Sequence, residues 1–229
     1  MKRSKKSNQA GHRKILILVF IAGFFMVLPL VKLWANGGFE YWNQNGMEWQ
    51  LKKDWKLTFE EELRFNTHGK GLHYEHTDFG VVYAGLAHWL ELGVNYRGIA
   101  RRPEDHWKYD NVPYFFVTLK YSAKGAEFSL RNKIEYSDQQ HARDFWRDRP
   151  IATIKLPPIT RLNVRPYVAN EVFLDFSPAK FTENRFYAGL NIPIYKTLSG
   201  DIFYVWKCKR EEHHWLDTNV VGTKLKLSF

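Results

Sequence analysis

Only one cysteine, Cys208, occurs in 229 residues, so no internal disulfide can brace the fold and cysteine usage does not reveal the redox compartment. Serine is sparse as well. Beyond residue 35 only Ser122, Ser129, Ser137, Ser177, Ser199 and Ser228 occur, which leaves few candidates for a serine nucleophile. No stretch after residue 36 sustains a helical period, and the mean hydropathy is negative, which argues against a helical membrane bundle. The first 35 residues contain no acid at all. That absence disposes of the apparent basicity. Seven Lys and Arg lie there, and without them the formal charge of +10 falls to +3. The calculated pI is therefore no argument for nucleic-acid binding.

The leader itself is the most local signal. MKRSKKSNQAGHRK is basic, ILILVFIAGFFMVLPLV is apolar throughout, and Ala35 can end a cleaved signal, although Leu33 is a poor residue two positions before the cut. An uncleaved anchor helix is the alternative, because 17 apolar residues stand at the short limit for a span. No cysteine lies near the junction, which argues against a lipoprotein signal. The division expected is residues 1–35 as leader and 36–229 as one folded unit.

Aromatic residues make up 17% of the chain, and residues 36–229 alternate. WKLTFEEELRF sorts Trp55, Leu57, Phe59, Leu63 and Phe65 from Lys56, Thr58, Glu60, Glu62 and Arg64. LELGVNYRG separates Leu90, Leu92, Val94 and Tyr96 from Glu91, Asn95 and Arg97. AEFSLRNKIEYS separates Phe128, Leu130, Ile134 and Tyr136 from Arg131, Lys133 and Glu135. Side chains of a strand alternate between its faces, so each segment has a greasy wall and a charged wall. Segments near 39–51, 55–66, 73–84, 89–100, 112–122, 127–138, 145–156, 162–175, 184–194, 200–208 and 216–229 follow this rule. Eleven is an awkward count, since bacterial single-chain barrels have even strand numbers, and it predicts ten to twelve strands with twelve favoured.

Connections differ in length. LKKDW, AGLAHW, SAKGA, PPITR and YKTLSG read as short turns; NTHGKG, ARRPEDHWKYDN, DQQHARD, SPAKFTE and KREEHH read as longer loops. Trp55, Trp89, Tyr121 and Tyr195 gather beside the short turns, as a membrane-interface girdle would. The chain ends on Val221, Thr223, Leu225, Leu227 and Phe229, all on the greasy parity, in the manner of a C-terminal outer-membrane insertion signal. These features predict an all-β, antiparallel transmembrane β-barrel preceded by an N-terminal signal helix. Outer-membrane lipids and the secretion and barrel-insertion machinery are its expected partners.

FEYWNQNGMEWQLKKDWKLTFEEELRF, YEHTDFGVVYAGLAHWLELGVNYR, IKLPP, YVANEVFLDF, NRFYAGL and NVVGTKLKLSF together resemble the bacterial family catalogued as domain of unknown function 2490, from about residue 38 to the end. The resemblance implies an outer-membrane barrel with no assigned activity, and it brings no catalytic residues.

The charged parity gives the candidate site: Glu60, Glu62, Arg64, His76, Asp78, Glu91, Asn95, Arg97, Arg131, Lys133, Glu135, Arg147, Arg149, Arg165 and Glu171, a lumen of interleaved acids and bases. Such a set either fills a barrel with salt bridges or lines a narrow ion path. His73 and His76 have opposite parity, which predicts that they share no site. His213 and His214 read as solvated loop residues, and Cys208 as an unreactive strand-end thiol. Ser129 faces the lumen without a nearby histidine. No metal, cofactor or catalytic pair is expected. Pro150 and Pro166 sit on the greasy parity, where a bulge or a weak seam is expected, since proline cannot donate to a ladder. Two other readings stay open: a lipid-modifying outer-membrane enzyme, and a soluble periplasmic barrel holding an apolar ligand.

Overall fold

In the computed structural model, residues 38–66, 71–103, 106–139, 143–159, 162–176, 179–211 and 214–229 are described; the leader 1–35 and His213 lie outside them. Eleven strands form one closed barrel: β1 Phe39–Lys52, β2 Trp55–Asn66, β3 Gly71–Ala87, β4 Leu90–Arg101, β5 Lys108–Ala123, β6 Ala126–Gln139, β7 Phe145–Lys155, β8 Arg165–Phe176, β9 Ala179–Pro193, β10 Leu198–Glu211 and β11 His214–Ser228. Each pairs antiparallel with its chain neighbours. The barrel then closes through β1 and β11, which run parallel, with Phe39 opposite Asn219 and Glu48 opposite Ser228. This corrects the favoured count of twelve. An even number is required only when the closing pair is antiparallel, and here the closing pair is not. Among the described residues no helix is long and apolar enough to cross a membrane, a statement that does not bear on strands.

The alternation is realised with the greasy wall outward. Phe59, Phe79, Val94, Phe115, Leu130, Phe186 and Leu225 are exposed on the outside, whereas Glu62, Asp78, Arg97, Glu135, Arg149 and Glu171 are buried within. Glycine makes room for rings inside, as at Gly93 and Gly222. A Cβ at Gly93 would collide with the Phe116 ring, and one at Gly222 with the Phe203 ring, so both rings lie flat across a neighbouring strand. The two-residue hairpin between Ala123 and Ala126 has positive φ at both Lys124 and Gly125, the turn whose twist matches paired strands.

Several local expectations fail. Residues 177–178 and 212–213 alone separate β8 from β9 and β10 from β11, so SPAKFTE and KREEHH are largely strand rather than long loops. Conversely, residues 156–164 join β7 to β8 at the end expected to carry short turns. Polar residues on both faces were the misleading sign, because strand ends that project past a greasy belt carry them freely. Phe39 marks one end of the barrel and Phe229 the other.

Pro150 produces no bulge. The β7–β8 ladder breaks between Asp148 and Ile151 and resumes in the same register, and the β5–β6 ladder does likewise between Asn111 and Tyr114, around Pro113. A missing N–H, not an extra residue, accounts for both breaks. Pro166 lies at the strand end, its carbonyl accepting from Leu156 N at 2.8 Å, and is not opposite Pro150.

Candidate functional site

Strand order turns the charged parity into a continuous network. Asp78 on β3 accepts from Arg97 Nε and Nη2 at 3.0 and 2.9 Å, from Asn95 Nδ2 at 2.7 Å and from the Tyr114 hydroxyl. Arg97 Nη1 reaches Glu135 at 3.4 Å, and Arg149 joins Glu135 to Glu171 at 2.6 and 2.7 Å. The Tyr187 hydroxyl donates to Glu171 at 3.1 Å, and Arg185 sits 3.7 Å from the same carboxylate while pairing with Glu183. Acid and base thus alternate from β3 across to β9. On the opposite wall Glu62 accepts from Arg64 and Gln44, and the Arg64 guanidinium lies between the Trp42 and Tyr74 rings at 3.9 and 4.0 Å. Lys207 bonds Glu40 at 2.6 Å and Lys224 bonds Glu60 at 2.5 Å, which ties β10 and β11 to β1 and β2.

Every residue of the expected lumen set faces inward, but not all of it converges. Glu62, Asp78, Arg97, Glu135, Arg149 and Glu171 form the centre. Glu91 serves Lys56 and Lys120 near the Phe229 end, Arg165 pairs there with Glu127, and Arg147 holds Asp175 towards the Phe39 end. One sector is apolar instead: Trp42, Phe203, Val205 and Val220 are buried together, with Tyr167 and Tyr187 against them. Parity reasoning missed this plug because Val220 and Gly222 lie on the face read as mostly polar. It also missed Glu40, Trp42 and Glu183. The first two lie in the first segment, for which no inward parity was assigned, and the third precedes the expected start of β9.

Two cavities flank the network. The larger, of about 600 Å³, reaches the rim at the Phe39 end; the smaller, of about 200 Å³, lies towards Phe229. Glu60, Arg97, Arg131, Lys133 and Lys224 line both of them. His73 and His76 both line the larger cavity, against expectation. A register shift pairs Arg64 with Tyr74 but Phe65 with Leu72, which places an extra residue at His73 and breaks strict alternation.

His76, Glu60 and Glu62 offer donor atoms within 4.8 Å of one another, and His76 Nε2 is buried without a hydrogen-bond partner. A divalent ion there would compete with Lys224 and Arg64 for both carboxylates, among the charges of Arg97 and Arg149 as well. The donor types fit a metal; the electrostatics oppose one. Ser129 pairs opposite Thr153 and Lys120, not beside a histidine. The free thiol of Cys208 is half-buried at the β10 position facing Asp217. Trp55, Trp89, Tyr121 and Tyr195 are all exposed at the Phe229 end, and Val221, Thr223, Leu225, Leu227 and Phe229 lie on the outward parity of β11.

No curated protein and no solved structure matches the chain. A family model described as protein of unknown function (DUF2490) matches residues 39–217, from the first residue of β1 into β11 and so almost the whole barrel. The chain belongs to that family.

Proposed function

We propose that this chain is an outer-membrane β-barrel, closed at mid-height by its salt-bridged lumen and presenting its larger cavity at the Phe39 end. The observation that carries the reading is the inverted wall: large apolar side chains outside and buried charges inside. Water would favour the opposite arrangement, whereas lipid favours this one. The outer wall also has aromatic residues at two levels. Trp55, Trp89, Tyr121 and Tyr195 mark the Phe229 end; Tyr109, Trp146, Phe181 and Trp215 mark the other. Tyr109 and Tyr121 on β5 are separated by roughly 40 Å of strand, or about 30 Å along the axis at an ordinary barrel tilt, close to the thickness of a hydrocarbon core.

Polar residues interrupt the belt at several places among the described residues, Asn132 on β6 and Asn170 on β8 among them. Across β11, β1 and β2, Asn43 donates to Thr223 at 3.1 Å and Asn45 to Glu61 at 3.4 Å. These groups partly satisfy one another, which lowers their cost in lipid. Charged side chains line both cavities, which suits the soluble alternative poorly, and Ser129 stands opposite Lys120 and Thr153 rather than a histidine. Cell fractionation tests the proposal. The protein is expected in the outer membrane after alkaline carbonate washing, with a gel mobility that changes on heating. Recovery in the soluble periplasmic fraction would overturn it.

A further inference from the structure

The cations of the larger cavity are unequally paired. Arg64, Arg97, Arg147, Arg149, Arg185 and Lys224 each have a carboxylate oxygen within 3.0 Å. Arg131 and Lys133 do not. Arg131 donates through Nε to Thr118 at 3.1 Å and stands 4.8 Å from the Phe116 ring, with no acid in reach among the described residues. Its two terminal nitrogens, with four N–H groups, are left for something else. Lys133 is 9% exposed, and its closest carboxylate oxygen, on Glu171, is 3.9 Å away and already accepts from Arg149 at 2.7 Å. What exposure Lys133 retains is towards the two cavities, both of which it and Arg131 line.

Register sharpens the imbalance. Lys133 lies directly opposite Arg149 on β7, and like charges in that position repel. A buried ammonium without a hydrogen-bond acceptor is costly, and the two acids nearest it, Glu135 and Glu171, already accept from Arg149. One dianion with several oxygens would answer all of these demands at once. We propose that Arg131 and Lys133 form the binding site for a phosphate group, as inorganic phosphate or a small soluble phosphate monoester. A tetrahedral phosphate can accept from a guanidinium and an ammonium together, where a carboxylate has fewer lone pairs and half the charge. The site lies about 15 Å below Gln139 at the rim, by strand rise and tilt. The cavity above it, with Ile99, Val112 and Phe173 on its wall, falls in the ordinary size range of ligand pockets and has room for the organic part of a monoester.

This inference rests on the larger cavity being the working face, as proposed above, and not on where the barrel resides. Its test uses the full chain refolded in detergent, with folding shown first by the heat-dependent mobility. Isothermal titration with inorganic phosphate should give saturable one-to-one binding that equal chloride does not compete away. Arg131→Gln and Lys133→Met should each weaken it at least tenfold, while Lys209→Gln, at the rim of the same cavity, should change it less than twofold. Arg131 is exposed to the cavity, so its variant folds even if the Lys133 variant does not. Absence of saturable binding by a demonstrably folded barrel would overturn the proposal, as would undiminished binding by Arg131→Gln. Micelles carrying phosphatidic acid supply the lipid source: if they bind and inorganic phosphate does not, the luminal site is wrong, because a lipid phosphate reaches only the rim.

Discussion

Removing the Glu171 carboxylate should destabilise the barrel more than any surface charge change. Glu171 is 3% exposed and accepts from Arg149 at 2.7 Å and Tyr187 at 3.1 Å, with Arg185 at 3.7 Å and Lys133 at 3.9 Å. Glu171→Ala leaves Arg149 half-paired and removes the carboxylate within 4 Å of Lys133, and it orphans a buried hydroxyl. Breaking a buried ion pair costs about 3–5 kcal/mol. The adjoining cavity lets some water reach the stranded cations, so the lower part of that range, about 3 kcal/mol, is expected. The assay is urea unfolding of the refolded protein in lipid vesicles, with the folded fraction read by gel mobility. Replacing both partners, Glu171→Leu with Arg149→Leu, should recover part of the loss, since the half-paired guanidinium goes with its partner and Lys133 loses the like charge opposite it. A loss of under about 1 kcal/mol for Glu171→Ala would place the pair in the range of solvated surface bridges. The lumen would then be wet at its centre, and the closed barrel would be refuted.

Phe229 is stitched to β1: its N–H donates to Glu48 O, and its carbonyl accepts from Gln50 N, both at 2.9 Å. Deleting it should lower outer-membrane yield in a pulse-labelled fractionation, and an unchanged yield would contradict a role in insertion or closure. Glu61→Leu should raise stability in vesicles by about 1 kcal/mol, because a carboxylate facing lipid is unfavourable; a loss would mean that this wall does not meet lipid. Pro150→Val restores an N–H to the gap between β7 and β8 and should add about 1 kcal/mol in the same unfolding assay. A loss would show that the missing donor is not what opens the ladder.

What the sequence reveals here is what the strand period encodes locally. β2, β4 and β6 are legible because each alternates over nearly its whole length, Glu61 and Asn132 apart, and the same parity places Glu62, Asp78, Arg97 and Glu171 inside. Partner choice is a different matter. That Arg149 bridges Glu135 and Glu171 depends on the register of β6, β7 and β8, which is set over many residues at once. The number of strands was countable but not closable, since the parallel pairing of β1 with β11 joins residues about 180 apart and leaves no local mark. His73 escaped for the opposite reason: one extra residue in β3 resets the alternation, and nothing in HYEH marks it. The apolar plug around Trp42 was hidden because a lumen read as charged leaves no reason to look for aromatic residues on that parity. The Arg131–Lys133 pair was visible as charge, but its lack of acids appears only when every neighbouring cation has been given its partner.

Single-channel recording in a planar bilayer tests the closed lumen most directly. Protein whose folding and insertion have been verified should give no conductance steps, because ion pairs and the Trp42 plug fill the centre between the two cavities. Discrete, ion-selective steps from the same preparation would contradict closure and make the charged ring a filter instead.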